Sequence, residues 1–522
     1  MTDHSINTPA VIEPAKPISY ERNLLSVVQG GGITLFGKMF TNASRFVMAF
    51  LLARLLGASQ YGMYQLALNV STLAVSLAMI GLDTAMLRYI AISVSRKDEK
   101  GLWGTLQIGI GLSALLSVLA GTVLFALSHY LANEVFHEPK LAPLLQIVSV
   151  ATPFITLGDV LAGATRGFKN MSYAVIAQFI AQPLVKVILV GILAIFGLKV
   201  WQAVAIYAIG DVVSTIMLIY YLNKLFSLNR PLQEAQRDLK GILGYAFPDW
   251  AARMLDQFQA SIQALMIGSL NTLAGVGIFA VSNQLNILGH DFYSSINIAA
   301  KPLIAELHDQ GDKVHLQRIY QTATKWSLIV NLPFFLAFIL FPTKILAIFG
   351  QSFESGALAL IIVALANLID VATGMCGTLL NMTGYTKLKL VNTIFSLTLA
   401  TILNMILIPR WGLVGAAITT LAVVTSLNLV RLFQVYFLLK IIPYNAEFIK
   451  PILAAVISYL FIWALSHFFP VEDMRIRYAL AQIVILFGVF AGMIWMMGLS
   501  EEDRMLLNRV WKKTMNFLTK NK

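Results

Sequence analysis

A single cysteine, Cys376, stands among the 522 residues. It excludes an intramolecular disulfide framework and any cysteine-based metal site. Charge is scarce as well: Asp, Glu, Lys and Arg make up 12% of the chain, about half the share a soluble protein needs to cover its surface. No GxxxxGK[ST] phosphate loop occurs, so ATP hydrolysis is not indicated. The first twenty residues, MTDHSINTPAVIEPAKPISY, hold three prolines and several polar residues but no apolar core of a cleavable signal. They are expected to form an irregular cytoplasmic tail. The stretch HYLANEVFHEPK (129–140) has two histidines and two glutamates, yet at no metal-ligand spacing, and reads as a solvated loop. No catalytic triad is visible. The expectation is a protein that is not an enzyme and uses no cofactor or metal.

Apolar residues, by contrast, account for 58% of the chain. Runs of about 20 of them recur from end to end, which makes the bilayer the solvent for most of the chain. The expected fold is an all-α polytopic membrane protein. Fourteen helices fit the hydropathy, near 29–56, 61–82, 102–130, 141–164, 172–196, 200–222, 243–269, 272–299, 316–342, 355–380, 386–408, 412–439, 449–470 and 477–498. Alternate loops are basic: SRKDEK (95–100), RGFK (166–169), the 223–242 segment, DKVHLQR (312–318), YTKLK (385–389) and RVWKK (509–513). Those loops carry about four times as many Lys and Arg as the opposite set, which places both termini in the cytoplasm. The formal charge of +12 is therefore assigned to membrane orientation, and nucleic acid is not expected as a partner.

The halves of the chain repeat. YGMYQLA (61–67) matches GVGIFAV (275–281) in pattern, RGFKN (166–170) matches TGYTK (383–387), and FGLK (196–199) matches WGLV (411–414). Three matches in order at an offset near 215 residues indicate a parallel duplication of six helices. The domains expected are a tail (1–22), an N-lobe (23–222), a cytoplasmic linker (223–242), a C-lobe (243–440), two further helices (449–498) and an amphipathic cytoplasmic tail (499–522).

Ionisable groups inside these helices cost about 2.5–3.5 kcal/mol each on insertion scales, and this chain keeps many. In GKMFTNASRF (37–46), Lys38, Asn42 and Arg45 share one face of helix 1, with no acid on that helix. At the repeat offset Lys38 corresponds to Arg253 and Asn42 to Gln257. Helix 7 also carries Asp249 and Asp256, and helix 5 sets Gln178, Gln182 and Lys186 at i, i+4 and i+8. Facing lobes would bring these stripes to one cationic cavity. Asp256 is the first candidate for coupling to H+ or Na+, followed by Asp249, Asp211 and Asp370. Plain charge balance competes with that role at each acid. Lys325, Arg431 and Asp159 are placed near helix ends, where snorkelling suffices.

Longer patterns support a family resemblance: LLGASQYGMYQLA after helix 1, GLDTAMLRYIA after helix 2, LFPTKILAIFGQSF after helix 9, and LNMTGYTKLKLVNTIFSLTLATILNMILIPRWGLVGAAITT across helices 10–12. Over roughly residues 22–500 the chain resembles the polysaccharide-transporter (Wzx-type) branch of the MOP superfamily, which also holds the MATE drug exporters and the lipid II flippases. The resemblance implies two pseudo-symmetric six-helix lobes plus two C-terminal helices in a bacterial inner membrane. It also implies a flippase for undecaprenyl-pyrophosphate-linked oligosaccharides, serving O-antigen, capsule or exopolysaccharide assembly by alternating access, alongside a polymerase and chain-length machinery. On that reading Lys38, Arg45, Arg253 and Lys186 meet the pyrophosphate, and Asn42, Gln178, Gln182 and Gln257 meet the sugars. The alternative is a MATE-like cation-coupled drug exporter, which two bases and no acid on helix 1 disfavour.

Overall fold

The computed structural model describes residues 17–231, 235–468 and 476–498, with side chains from Gly37 onward. Among these residues the regular structure is entirely helical, as a bilayer demands of chain segments that must satisfy their own backbone groups. The helix Pro17–Met79 breaks at Gly57 (φ 73°) into α1 and α2, and α2 continues past a bend as Leu82–Arg96. Then come α3 (Glu99–Tyr130), α4 (Ala142–Gly167), α5 (Met171–Ile195) and α6 (Val200–Leu225). After the connection follow α7 (Leu239–Leu270), α8 (Leu273–Asp309), α9 (Lys313–Leu340) and α10 (Ala357–Thr373), which resumes as Cys376–Met382 beyond Gly374. The helix Thr386–Leu439 breaks at Gly412 (φ 55°) into α11 and α12. Finally α13 (Ile449–Phe468) and α14 (Ile476–Met496) pack on α9, with Phe334 edge-on to Phe487 at 5.1 Å.

Ten described stretches are long and apolar enough to cross a membrane, and two of them, Gly37–Met79 and Thr386–Leu439, are hairpins of two helices each. α7 and α8 complete the fourteen. Their lower hydropathy comes from the polar residues that they turn inward, including Arg253, Gln263, Asn286 and Asp291. The first helix begins at Pro17, inside the stretch 1–22 expected to be irregular. Proline is well tolerated at a first helical position, where its missing N–H is not needed. Residues 1–16 and the expected amphipathic tail at 499–522 lie outside the described residues.

Two six-helix lobes face each other across a pseudo-two-fold axis, and the axis can be located. A Cβ on Gly62 in α2 would overlap the carbonyl oxygen of Leu273, and one on Gly277 in α8 would overlap that of Ala58. Gly62 and Gly277 are 215 positions apart, and so are Ala58 and Leu273. The contact is therefore reciprocal, backbone on backbone, as small residues permit between membrane helices. It lies at the end of the bundle away from the basic loops. There one hydrophobic core runs through both lobes, from Leu52 and Leu145 to Phe338 and Leu360. At the basic end the cores are separate. One gathers α2, α3, α4 and the start of α7 around Met86 and Leu106, and the other gathers α8 to α10 and α12 around Tyr320 and Leu379. The lobes share one core at the end away from the basic loops; at the basic end they touch where Ile242 and Ala246 of α7 enter the core built on α2, and the C-lobe keeps a core of its own.

The connection between the lobes is strapped to α3. Trp103 Nε1 donates to Pro231 O at 3.0 Å, Gln236 N donates to Lys100 O at 3.0 Å, and Arg230 pairs with Glu99 at 2.8 Å.

Candidate functional site

The N-lobe encloses a cavity of about 500 Å³ between α1, α2, α4, α5 and α6, closed on the far side by Gln284 of α8. Its wall is shaped by Pro183. Without an N–H, Pro183 leaves the carbonyl of Phe179 without its helical partner, and α5 widens into a π-helix over Val175–Ala181. The hydroxyl of Thr41 in α1 donates to that carbonyl at 3.1 Å. Gly37 lets the two helices approach closely, since a Cβ there would press on Val175 and Phe179.

Four charged side chains line the cavity. Lys186 Nζ lies 3.2 Å from Asp211 Oδ2, with both side chains nearly buried, at 11% and 8% exposure. The same ammonium sits 3.8 Å from the centre of the Tyr207 ring. Gln182 donates to the other Asp211 oxygen. Gly210 makes room for this pair, because a Cβ there would overlap the Lys186 stem. Asp159 accepts from Gln178 Nε2 at 2.9 Å, and the Gln178 oxygen accepts from Arg166 at 3.0 Å. The amide thus links a base and an acid that do not touch. Arg45 is the exception. It is exposed to the cavity and makes no hydrogen bond or ion pair with any described residue.

The helix 5 stripe of Gln178, Gln182 and Lys186 and the Arg45 face of helix 1 therefore meet in one place, with Asp211. Asp159 joins them from mid-helix and does not snorkel. Tyr61, Tyr64, Gln65, Tyr207 and Gln284 complete the wall, and the sequence offered no sign of these beyond isolated polar residues in apolar runs.

Other expected site residues lie elsewhere. Arg253 grips Asp83 of α2 with two bonds of 2.9 and 2.8 Å and also pairs with Asp249 at 3.0 Å. Asp249 in turn accepts from Thr84 at 2.8 Å, and Trp250 Nε1 donates to Ser76 O at 2.7 Å. These bonds zip α2 to α7 towards the basic end. Among the described side chains, the pseudo-equivalent seam between α1 and α8 carries no such zip. Lys38, at the place of Arg253, is exposed and lines neither lobe cavity, and Ile298, at the place of Asp83, is 55% exposed. Asn42 makes the one described side-chain bond across this seam, to Asp291 at 2.8 Å. Asp256 pairs with Lys389 at 3.2 Å, and Gln257 donates to Ser261 at 3.0 Å. Asp370 accepts from Asn428 at 2.8 Å and faces His290 at 3.4 Å.

The C-lobe has its own cavity, about 310 Å³, and among the described residues no ionisable group lines it. Gln263 Nε2 donates to Ala416 O at 2.6 Å and to Thr420 at 3.1 Å, and its oxygen accepts from Asn404 at 3.0 Å. Asn69 of α2 reaches into this cavity, as Gln284 of α8 reaches into the other. Asn69 and Gln284 are again 215 positions apart, so each lobe lends the other one amide. Gln65 borders both cavities.

Known proteins share this architecture. A family profile described as "Polysaccharide biosynthesis protein" matches residues 27–308, more than half of the chain, and one described as "MatE" matches residues 252–406. The chain is 22% identical to stage V sporulation protein B of Bacillus subtilis (strain 168) over 446 residues, covering 80% of this chain and 85% of the relative. It is 27% identical over 225 residues to a protein of Haloferax volcanii named as the probable flippase AglR, covering 41% and 46% of the two chains. Among solved structures, the lipid II flippase MurJ in an inward closed conformation superposes with a TM-score of 0.67 at 15% identity, over 90% of this chain and 99% of MurJ. At that identity the likeness speaks for the fold alone. Together, the fourteen-helix two-lobe fold and the profile match make the chain a multi-pass membrane protein with the MOP-superfamily fold and a member of the polysaccharide biosynthesis protein family.

Proposed function

We propose that this protein is a flippase that carries an undecaprenyl-pyrophosphate-linked oligosaccharide across a bacterial inner membrane, from the cytoplasmic to the outer face. The observation that carries the reading is Arg45, a guanidinium facing a cavity at mid-depth without a counter-ion among the described residues. A permanent charge held there is costly unless an anion arrives to share it. A pyrophosphate can accept two parallel N–H bonds from a guanidinium, and Lys186 stands close by as a second cation that Asp211 holds until it is needed. Access is at the basic end along the α1–α8 seam past Lys38, where the described side chains form no zip like that between α2 and α7. Arg253 acts by holding α2 to α7.

Sugar hydroxyls find neutral amides in both cavities: Gln178 and Gln182 on one side, Gln263 and Asn69 on the other. Rocking of the lobes exchanges the open end, and a polymerase takes the product outside. A cation exporter fits less well, since each carboxylate lining the N-lobe cavity already has a donor.

The test is glycan export in a strain lacking the gene, complemented with the wild type, Arg45→Ala, Arg45→Lys and Lys38→Ala at matched membrane levels. The reading requires lipid-linked oligosaccharide to accumulate on the cytoplasmic side with Arg45→Ala, and Arg45→Lys to restore part of the export. Full export by Arg45→Ala would refute the cationic-cavity mechanism.

A further inference from the structure

The C-lobe holds a cluster of ionisable groups that the cationic cavity does not use. His290 lies 17 residues into α8, about 25 Å along it, whereas the other described histidines sit at helix ends or in loops. Its ring is 42% exposed, and Nε2 is 3.4 Å from Asp370 Oδ2 on α10. That is too long for a strong hydrogen bond and short enough for an ion pair, so the attraction depends on whether the imidazole carries its second proton. The other Asp370 oxygen is fixed by Asn428 of α12 at 2.8 Å. Arg431, one turn further along α12, bears on the same carboxylate.

Two links carry a change at this pair outward. Asp291, the next residue on α8, accepts the Asn42 bond from α1. Tyr293, whose ring meets that of His290 edge-on at 5.3 Å, donates to the carbonyl of Gly374 at 3.0 Å. Gly374 is where α10 breaks, at φ 70°, and Tyr320 donates to the neighbouring Thr373 carbonyl at 2.8 Å. The pair therefore sits between a broken helix and the α1–α8 seam.

We propose that His290 and Asp370 form a proton-loading site that sets the width of the α1–α8 seam. This deepens the ion-coupling part of the flippase reading and rests on it only for its biological purpose. With the proton bound, imidazolium and carboxylate hold α8 against α10, and the Asn42–Asp291 bond stands as the structure has it. When the proton leaves, Asp370 keeps only Asn428 and Arg431, and α8 loses its hold. His290 meets Asp370 from α10 and Tyr293 from its own helix, with Asp291 beside it on α8; Arg431 from α12 bears on Asp370, and Cys376 and Tyr320 lie by Tyr293 at the break. From α1 it is the neutral Asn42 that meets this stretch.

The experiment needs no substrate. The full chain in lipid nanodiscs, with Cys376→Ser, Met39→Cys and Ile298→Cys, is spin-labelled at the two new cysteines, both at exposed positions. Distance distributions are recorded from about pH 5 to about pH 8, the range in which imidazoles change charge. The short-distance population is expected to fall as pH rises, with the log of the population ratio changing by about one per pH unit at its steepest, as for one proton. His290→Gln and Asp370→Asn should each flatten that response. A response that survives both substitutions, or its absence in the parent, overturns the proposal. His290→Asn takes the place of His290→Gln if the latter elutes as aggregate. Export by the Arg45 variants is a separate readout, so failure here and failure of the flippase reading are distinguishable.

Discussion

The two lobe cavities are built on one duplicated frame and furnished differently. The N-lobe cavity holds two bases and two acids, while the C-lobe cavity, reached at equivalent positions, holds neutral amides and hydroxyls. Arg45 corresponds to Ala260, and Asn69 to Gln284. The frame survived duplication because its contacts are backbone contacts that tolerate little else. The furnishing diverged because side chains pointing into a cavity touch few neighbours. Four charges at mid-depth cost on the order of 10 kcal/mol before pairing, and pairing and amide bonds offset much of that for three of them. The fourth, Arg45, has no such offset among the described residues, and on the proposed reading the anion of the substrate supplies it.

The most severe way to break the comparison is at the axis common to both lobes. Gly62→Val should push α2 off α8 and cost about 3 kcal/mol or more, seen as loss of a monodisperse peak in detergent. Gly277→Val, its pseudo-equivalent, should do the same, and a mild effect at either would deny the reciprocal contact.

Next comes the buried pair. Asp211→Ala strands Lys186 and should destabilise the protein by about 3–5 kcal/mol, measured as a drop in thermal unfolding midpoint. The double variant Lys186→Met with Asp211→Leu should recover most of that stability without recovering export, separating packing from function.

Arg45→Ala should sharpen the comparison in the opposite sense. Stability should stay within about 0.5 kcal/mol or rise, while export falls at least about tenfold, the equivalent of one lost charge-assisted bond. In the C-lobe, Gln263→Ala should cost about 1 kcal/mol of stability and weaken export of the native glycan more than flipping of a lipid pyrophosphate bearing a single sugar. Equal effects on both would give the amide cavity no part in reading the glycan.

The smallest effect is expected outside both cavities. Arg230→Ala removes an ion pair whose acid is 71% exposed, worth well under 1 kcal/mol, and export should be unchanged.

Much of this contrast was legible in the chain. The spacing of Gln178, Gln182 and Lys186 announced one face, and all three line the cavity although the π-helix over Val175–Ala181 takes in Gln178. The offset of 215 that pairs Gly62 with Gly277 at the crossing also pairs Lys38 with Arg253 as positions. It could not tell that Arg253 is bound across the lobes to Asp83, because helical periodicity reveals partners only on the same helix, where Asp249 was the visible one. Asp159 looked like a helix-end acid, since burial there depends on where α5 lies. The amide cavity gave no signal at all: single Asn and Gln residues in apolar helices are common, and only packing gathers Gln263, Asn404 and Thr420 into one network.

The glycine crossing of α2 and α8 has a mechanical consequence. Contact at one end of long rods makes a hinge with a long lever. From Gly62 to Ile90 the arm is about 42 Å at 1.5 Å per residue, so a tilt of about 10° between the lobes sweeps roughly 7 Å at the far end. The crossing itself, lying at the fulcrum, shifts by a small fraction of that. A mouth wide enough for a sugar ring thus opens or shuts with little disturbance to the seal opposite, and the amplitude of the stroke is set by helix length.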